Sequence, residues 1–341
     1  MKTTSSSLFF KVLGKAGLPS RSEPHTSRLQ HTPNQTAVPI WVFGFPRTGT
    51  TTAQTIIAQA LSYNASFEPF SHSAANELGF ARAHELFPGK PSQETWSEYV
   101  TRAGVNAALS TMEGSAEGVE KRSVFEAYLE ALYSEFGHNT VFKEIRLFGN
   151  LDAVEQFHAS RGIPWACVCM NAHPLRPLYT YYRIGALCSR APGGNYPEFV
   201  YRYRVATYAR LGLYEELCGL PVRSISDKLV VACLLDQAHM RAFAAARPSS
   251  TITTCLADLP QHLAALSEWT DAPVVRPTEI TIRPSQRFAE DVLFSRAILQ
   301  ELSPEVRDAL LDANHPIPSS RQQARPSLRQ IATLLRFRLY D

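Results

Sequence analysis

The sequence predicts an α/β domain: a parallel β-sheet flanked by helices, with a helical insert after the first βα unit. Three observations carry this expectation. Short apolar runs alternate with segments of helical period, the order of a parallel sheet covered by helices. The first such run, Val38-Pro39-Ile40-Trp41-Val42-Phe43, leads through a glycine-containing loop into a helix. The 341 residues are 45% hydrophobic, enough for one large core.

Taken in order, residues 1–37 are rich in Ser, Thr, Pro, Gln and His and lack periodicity. They are expected to form a disordered extension, and residues 38–341 the domain. Val38 to Phe43 reads as a buried strand, and Thr50 to Leu61 as a helix with Ile56, Ile57, Ala60 and Leu61 on one face. Residues 73–136 read as mainly helical, with candidates at 74–86, 95–112 and 123–136. Asn139 to Lys143 is a short strand, Leu151 to Ser160 a helix, and Pro164 to Met170 a second buried strand. Helices follow at about 174–187 and at 196–217. Val222 to Ile225 and Thr251 to Cys255 are strand candidates, followed by helices at 228–245 and 260–269.

The formal charge of +3 gives no general preference for polyanions or membranes, and no nucleic-acid partner is expected. No run approaches the roughly 18 apolar residues of a membrane helix. The six cysteines, Cys167, Cys169, Cys188, Cys218, Cys233 and Cys255, form no CxxC pair. They read as small buried hydrophobes of a reducing compartment, with no zinc site. A cytoplasmic location follows. The alternative is an organelle, because residues 1–22 are Ser-rich and basic, with no acid before Glu23. Nothing in the sequence bears on oligomeric state.

The chemistry starts at Gly44-Phe45-Pro46-Arg47-Thr48-Gly49-Thr50-Thr51. A helix leaves its first N–H groups unpaired, and its dipole adds partial positive charge there. A strand and tight loop aim those groups at an anion. Gly49 permits close approach, Thr48, Thr50 and Thr51 offer hydroxyls, and Arg47 adds a permanent charge. The spacing from Gly44 to Gly49 is that of a Walker A loop, so the sheet is expected to be of P-loop type. However, Thr50 stands where a nucleoside triphosphatase has its lysine. The cation has moved to position 47, on the opposite limb of the loop.

With the strand before it and the helix after it, Pro46-Arg47-Thr48-Gly49-Thr50-Thr51 resembles the 5′-phosphosulfate loop of the sulfotransferases, PKSGTT or PRSGTT. Three later segments extend the resemblance to about residue 183. Phe67-Glu68-Pro69-Phe70-Ser71-His72 is similar to an EPxxH segment of carbohydrate sulfotransferases. A Glu or His here suits removal of an acceptor proton, with Glu68 the first choice for the base and His72 the second. The other reading of Glu68 is a helix-entry carboxylate beside a proline turn.

Lys143-Glu144-Ile145-Arg146-Leu147-Phe148 is similar to the KEVRFF segment of the N-acetylglucosamine 6-O-sulfotransferase branch. At a strand's carboxyl end, Lys143 or Arg146 would face the crevice and stabilise negative oxygens. The other reading is a surface Lys–Glu pair. Finally, Asn171-Ala172-His173-Pro174-Leu175-Arg176 stands where the family has RDPR or RNPK, followed by a 3′-phosphate-binding Ser; Thr180 falls at the Ser position. Ala172 and Leu175 replace the two basic residues, which leaves Arg176, His173 or Arg183 as neighbouring sources of charge.

The resemblance implies 3′-phosphoadenylyl sulfate as donor, a small-molecule or carbohydrate acceptor, and no metal. Pro46 to Thr51, Arg176 and Thr180 would bind the donor. Arg47 and Lys143 would stabilise charge, and Glu68 or His72 would take the acceptor proton. Two alternatives stand beside this reading. One is a P-loop kinase, which would need a lysine at position 50 and a metal-binding Asp. The other is a non-catalytic module that keeps the fold.

Overall fold

β1 (Ile40–Gly44) is buried along its whole length, as an unalternating apolar run is when helices cover both faces of a sheet. It bonds in parallel to β3 (Thr140–Glu144) on one side and β4 (Ala166–Met170) on the other. β2 (Asn64–Phe67) lies outside β3, and β5 (Thr251–Thr254) outside β4. The sheet is therefore five-stranded and all parallel, in the order β2-β3-β1-β4-β5. The chain builds first to one side of β1 and then to the other. Its connections reverse direction beside β1, where a crevice opens at the carboxyl ends of the strands. The computed structural model describes residues 37–69, 126–127, 129–145, 151–183, 196–275 and 298–313.

Alternate residues of β1 feed two different cores. Ile40 and Val42 pack with Val141, Val168 and Ile252 beneath α1 (Thr50–Leu61) and α8 (Leu263–Thr270). Trp41 and Phe43 face the other way, onto α2 (residues 129–136), α3 (Leu151–Arg161) and α7 (Ile225–Ala246). A third cluster joins α7 to α4 (Leu175–Arg183), α5 (Tyr196–Arg210) and α9 (Pro304–Asp312), and includes Phe45. α7 is long and apolar enough to cross a membrane by composition alone. In this fold it is the shared core helix, packed against α5.

One buried polar chain crosses the Trp41 face. Trp41 Nε1 donates to Tyr133 Oη at 2.8 Å, and Tyr133 Oη lies 2.6 Å from His158 Nε2. His158 Nδ1 donates to the Val154 carbonyl at 2.7 Å. That bond fixes the tautomer and makes Nε2 the acceptor of the tyrosine proton. Burial pushes His158 down to about 4, with smaller contributions from His138 and Arg161.

The parallel sheet and the loop helix match the sequence reading; four details differ. First, β2 was not expected. Asn64-Ala65-Ser66-Phe67 has little strand character of its own, but Ser62 ends α1 in a left-handed cap. Gln54 Nε2 then donates to Ser66 O and Val141 O, at 2.7 and 2.8 Å, tying β2 to β3 from the helix. Second, Val222 to Ile225 is no strand. Ser224 is the N-cap of α7 in a reciprocal capping box with Asp227, so this extended stretch is a helix entry. Third, the helix predicted over 196–217 breaks after Arg210 at Gly212, which has φ 62°, and a short α6 (Glu215–Cys218) follows. Fourth, Leu259–His262 forms a 3₁₀ turn ahead of α8. Of the helical candidates over 73–136, only 126–127 and 129–136 fall within the described residues, and the candidates at 74–86 and 95–112 and the extension up to residue 36 lie outside them.

Cys167, Cys169 and Cys233 are buried free thiols, as expected, whereas Cys218 and Cys255 are half-buried; Cys188 lies outside the described residues.

Candidate active site

The loop between β1 and α1 is folded by its own residues. Thr48 donates both its N–H and its hydroxyl to the Phe45 carbonyl, at 3.2 and 2.7 Å. That bond commits the hydroxyl's proton to the turn and leaves its oxygen able to accept. Arg47 and Gly49 take left-handed backbone conformations, with φ of 74° and 96°. Gly49 is the N-cap of α1, receives no side-chain cap, and is followed by a first turn without acids. The amides of Thr50, Thr51 and Thr52 thus open onto the crevice with the helix's partial positive charge behind them.

Thr50 is buried, and its methyl would lie 2.7 Å from a Cβ on Gly44, so this side chain packs back into the loop. Pro46 is buried, while Thr51 and Arg47 are exposed. The Arg47 guanidinium lies 6.0 Å from the Tyr181 ring of α4, which places α4 beside the loop.

On the β3 side, Glu68 and Lys143 are brought together. Phe67 pairs in register with Lys143, and Glu68 N–H donates to the Lys143 carbonyl at 2.7 Å, extending the ladder by one residue. The Lys143 ammonium donates to Glu68 Oε1 in a buried ion pair. It also lies 4.1 Å from the centroid of the Phe67 ring. Glu68 has φ 49°, a conformation that costs about 1–3 kcal/mol for a residue of its kind and clusters at functional sites. Lys143 stands opposite Val42 of β1, two residues before Gly44. The ion pair is thus at the carboxyl ends of the strands, on the strand next to the anion loop. The surface Lys143–Glu144 pairing is not what forms. Both residues are buried, and Glu144 accepts the N–H of Ile145 at 2.7 Å. His72 and Arg146 lie outside the described residues.

On the β4 side, Ala172 is buried and its carbonyl accepts from Gln237 Nε2 at 2.5 Å. His173 Nδ1 accepts the Leu175 N–H at 3.2 Å and so caps α4. Arg176 is exposed, and one turn on Thr180 Oγ1 donates to its carbonyl at 3.1 Å. The two residues share a helix face, with Thr180 still able to accept.

Between the ends of β4 and β5 lies a cleft of about 330 Å³, lined by Ala172, His173, Thr254, Cys255, Asp258 and His262 among others. Leu256, in the loop after β5, would meet a Cβ on Gly49 at 3.4 Å, so the cleft abuts the anion loop. These β5 residues were not singled out in the sequence. The signal available was a strand end with polar residues directly after it.

No family model matches the chain, and no curated protein matches it. Among solved structures, it is similar to the sulfotransferase domain from the Synechococcus PCC 7002 olefin synthase, at 12% identity and a TM-score of 0.33, over 91% of this chain and 96% of that one. The fold class rests on the chain's own sheet order, parallel pairing and loop.

Proposed function

We propose that this chain transfers a sulfuryl group from 3′-phosphoadenylyl sulfate to a hydroxyl or amine of a small-molecule or sugar acceptor. One observation carries the reading: an uncapped helix N-terminus beside Arg47 stands one strand away from the buried Glu68–Lys143 pair. Anion binding and proton removal thus meet at neighbouring strand ends. The donor supplies an activated sulfuryl group on a phosphate leaving group. The amides of Thr50 and Thr51 and the Arg47 guanidinium hold that phosphate and stabilise the charge it gains. Glu68 takes the acceptor's proton as the new bond to sulfur forms, and the electron pair of the broken S–O bond leaves with the phosphate. Lys143, already on Glu68, offers its charge to the oxygens in transit. Arg176 and Thr180 are the proposed contacts for the far end of the donor. His72 remains the alternative base.

Two observations bear on the other readings. Position 50, where a kinase has its lysine, is a threonine packed against Gly44. Ala172 is buried with its carbonyl engaged, which favours the non-catalytic module as the second reading.

Calorimetry with 3′-phosphoadenosine 5′-phosphate, set against ATP with Mg²⁺, separates the three. Binding of the former supports sulfuryl transfer, ATP preference supports a kinase, and silence to both supports the module. Arg47→Ala is expected to abolish binding of the bisphosphate. Glu68→Gln is expected to preserve it while lowering turnover by about 10²-fold or more; unchanged turnover removes Glu68 as the base.

A further inference from the structure

Two crevice loops leave the sheet from neighbouring strands, at Phe45 after β1 and at Ile145 after β3. One buried side chain reaches both. Arg204 of α5 has no solvent exposure. Its guanidinium carbon lies 4.9 Å from the Phe45 ring centroid. Its Nη2 donates to the Ile145 carbonyl and its Nη1 to the Val200 carbonyl of its own helix, both at 3.5 Å.

The other limb of Arg204 is fixed more tightly. Nε donates to Asp236 Oδ2 at 2.7 Å, and Asp236 Oδ1 accepts the Tyr208 hydroxyl at 3.1 Å. Phe45 is in turn the residue on which the anion loop folds, because its carbonyl takes both bonds from Thr48. The next residue of α7, Gln237, holds the loop after β4 through the Ala172 carbonyl. Residues 236 and 237 of one core helix therefore connect to the loops after β1, β3 and β4.

A buried ion pair is a poor device for stability alone, since apolar replacements of similar volume are often neutral or better. An arginine has a planar face and a fork of donors, so it can touch a ring and a carbonyl at fixed angles, which a lysine or an apolar pair cannot do. We propose that Arg204, fixed by Asp236, is a positioning residue that holds the anion loop after β1 in register with the β3 end carrying Lys143. The naming of the loop's ligand rests on the function proposed above; the positioning role does not.

The test uses two variants of the full chain. Arg204→Lys keeps a cation for Asp236 but loses the planar group. The pair Arg204→Met with Asp236→Leu removes both charges and keeps the volume apolar. Hydrogen exchange in the ligand-free protein is read over residues 45–52, where the protected amide is that of Thr48 on the Phe45 carbonyl, and over α7. In both variants exchange at 45–52 is expected to rise about tenfold or more, with α7 unchanged and the denaturant midpoint near wild type. Donor KM is expected to rise by a similar factor, with acceptor KM unchanged. A folded double variant with wild-type exchange at 45–52 overturns the inference. Raised exchange in a protein that never binds 3′-phosphoadenosine 5′-phosphate would support positioning while the functional reading fails. If neither variant folds, Phe45→Leu removes the stacking partner from the loop side. It is expected to loosen residues 45–52 in the same way, and wild-type exchange there would overturn the inference.

Discussion

Gly44 has no room for a side chain. A Cβ there would meet Thr50 Cγ2 at 2.7 Å, Thr48 Oγ1 at 2.8 Å and Met170 Cβ at 3.0 Å. Gly44→Ala therefore pushes the loop off β1 from three sides. It is expected to destabilise the fold by about 1–3 kcal/mol through overpacking, seen as a lower urea midpoint, and to weaken bisphosphate binding by more than that loss explains. Full affinity in the alanine variant would show that the loop tolerates being moved. The loop residues were readable in the sequence because their chemistry is contiguous. Glu68 and Lys143 were readable one at a time, each from its own segment, but not as partners, since 75 positions separate them. Arg204 was not readable at all. In Tyr201-Arg202-Tyr203-Arg204, nothing local distinguishes the exposed Arg202, paired with Glu198, from the buried Arg204. Only the packing of α5 on α7 decides it. Asp236 was the stronger clue, being an acid at the end of the apolar run Leu229 to Leu235, a position that demands a partner.

Among the elements, α7 shows what a correct cap does. Asp227 has no solvent exposure and accepts three backbone amides: Arg223 and Ser224 at 2.9 and 3.0 Å, and Ser303 at 2.9 Å, just before α9. It both starts α7 and fastens a segment far along the chain. Asp227→Ala leaves those donors without their acceptor and is expected to cost about 3 kcal/mol or more, while Ser224→Ala costs about 1 kcal/mol. Chemical denaturation of the two variants checks the ratio; equal losses would mean that the Ser303 contact adds nothing. The same residues explain why this boundary was misread. Val222-Arg223-Ser224-Ile225 has a strand-like mixture of residues, and the Ser-x-x-Asp box that overrides it is a short polar signal beside an apolar one. β2 fails in the opposite sense. Three of its four residues, Asn64, Ala65 and Ser66, are poor strand formers, and it is a strand because β3 and Gln54 bond to it. α1, which has no side-chain cap, and the strands buried on both faces were placed within a few residues.

For the molecule as a whole, the Trp41–Tyr133–His158 chain links β1, α2 and α3 and makes stability depend on pH. His158 is held neutral, near 4 rather than the ordinary 6.5, chiefly by burial. As pH falls below 6.5, the unfolded chain takes up this proton first. The stabilising contribution is therefore complete above about pH 6.5 and is lost as pH falls towards 4, a loss of about 3 kcal/mol from this residue. Urea unfolding at pH 7 and pH 4.5 is expected to show most of that drop in the wild type and less of it in His158→Asn. An equal drop in both proteins would assign the acid sensitivity to other groups.

The central position of β1 has a further consequence. β3 and β4 bond to β1 and not to each other, so the sheet consists of two wings hinged on a single strand. One wing carries the Glu68–Lys143 pair and the other, after β4, Arg176 and Thr180 of α4. On the proposed function these are the customer's side and the reagent's side. Such an arrangement is evolvable by halves. Descendants can exchange residues on one wing to serve new customers while the other wing keeps the same reagent. It also marks where a chimera should be cut: through the connection between β3 and β4, leaving β1 and its loop intact.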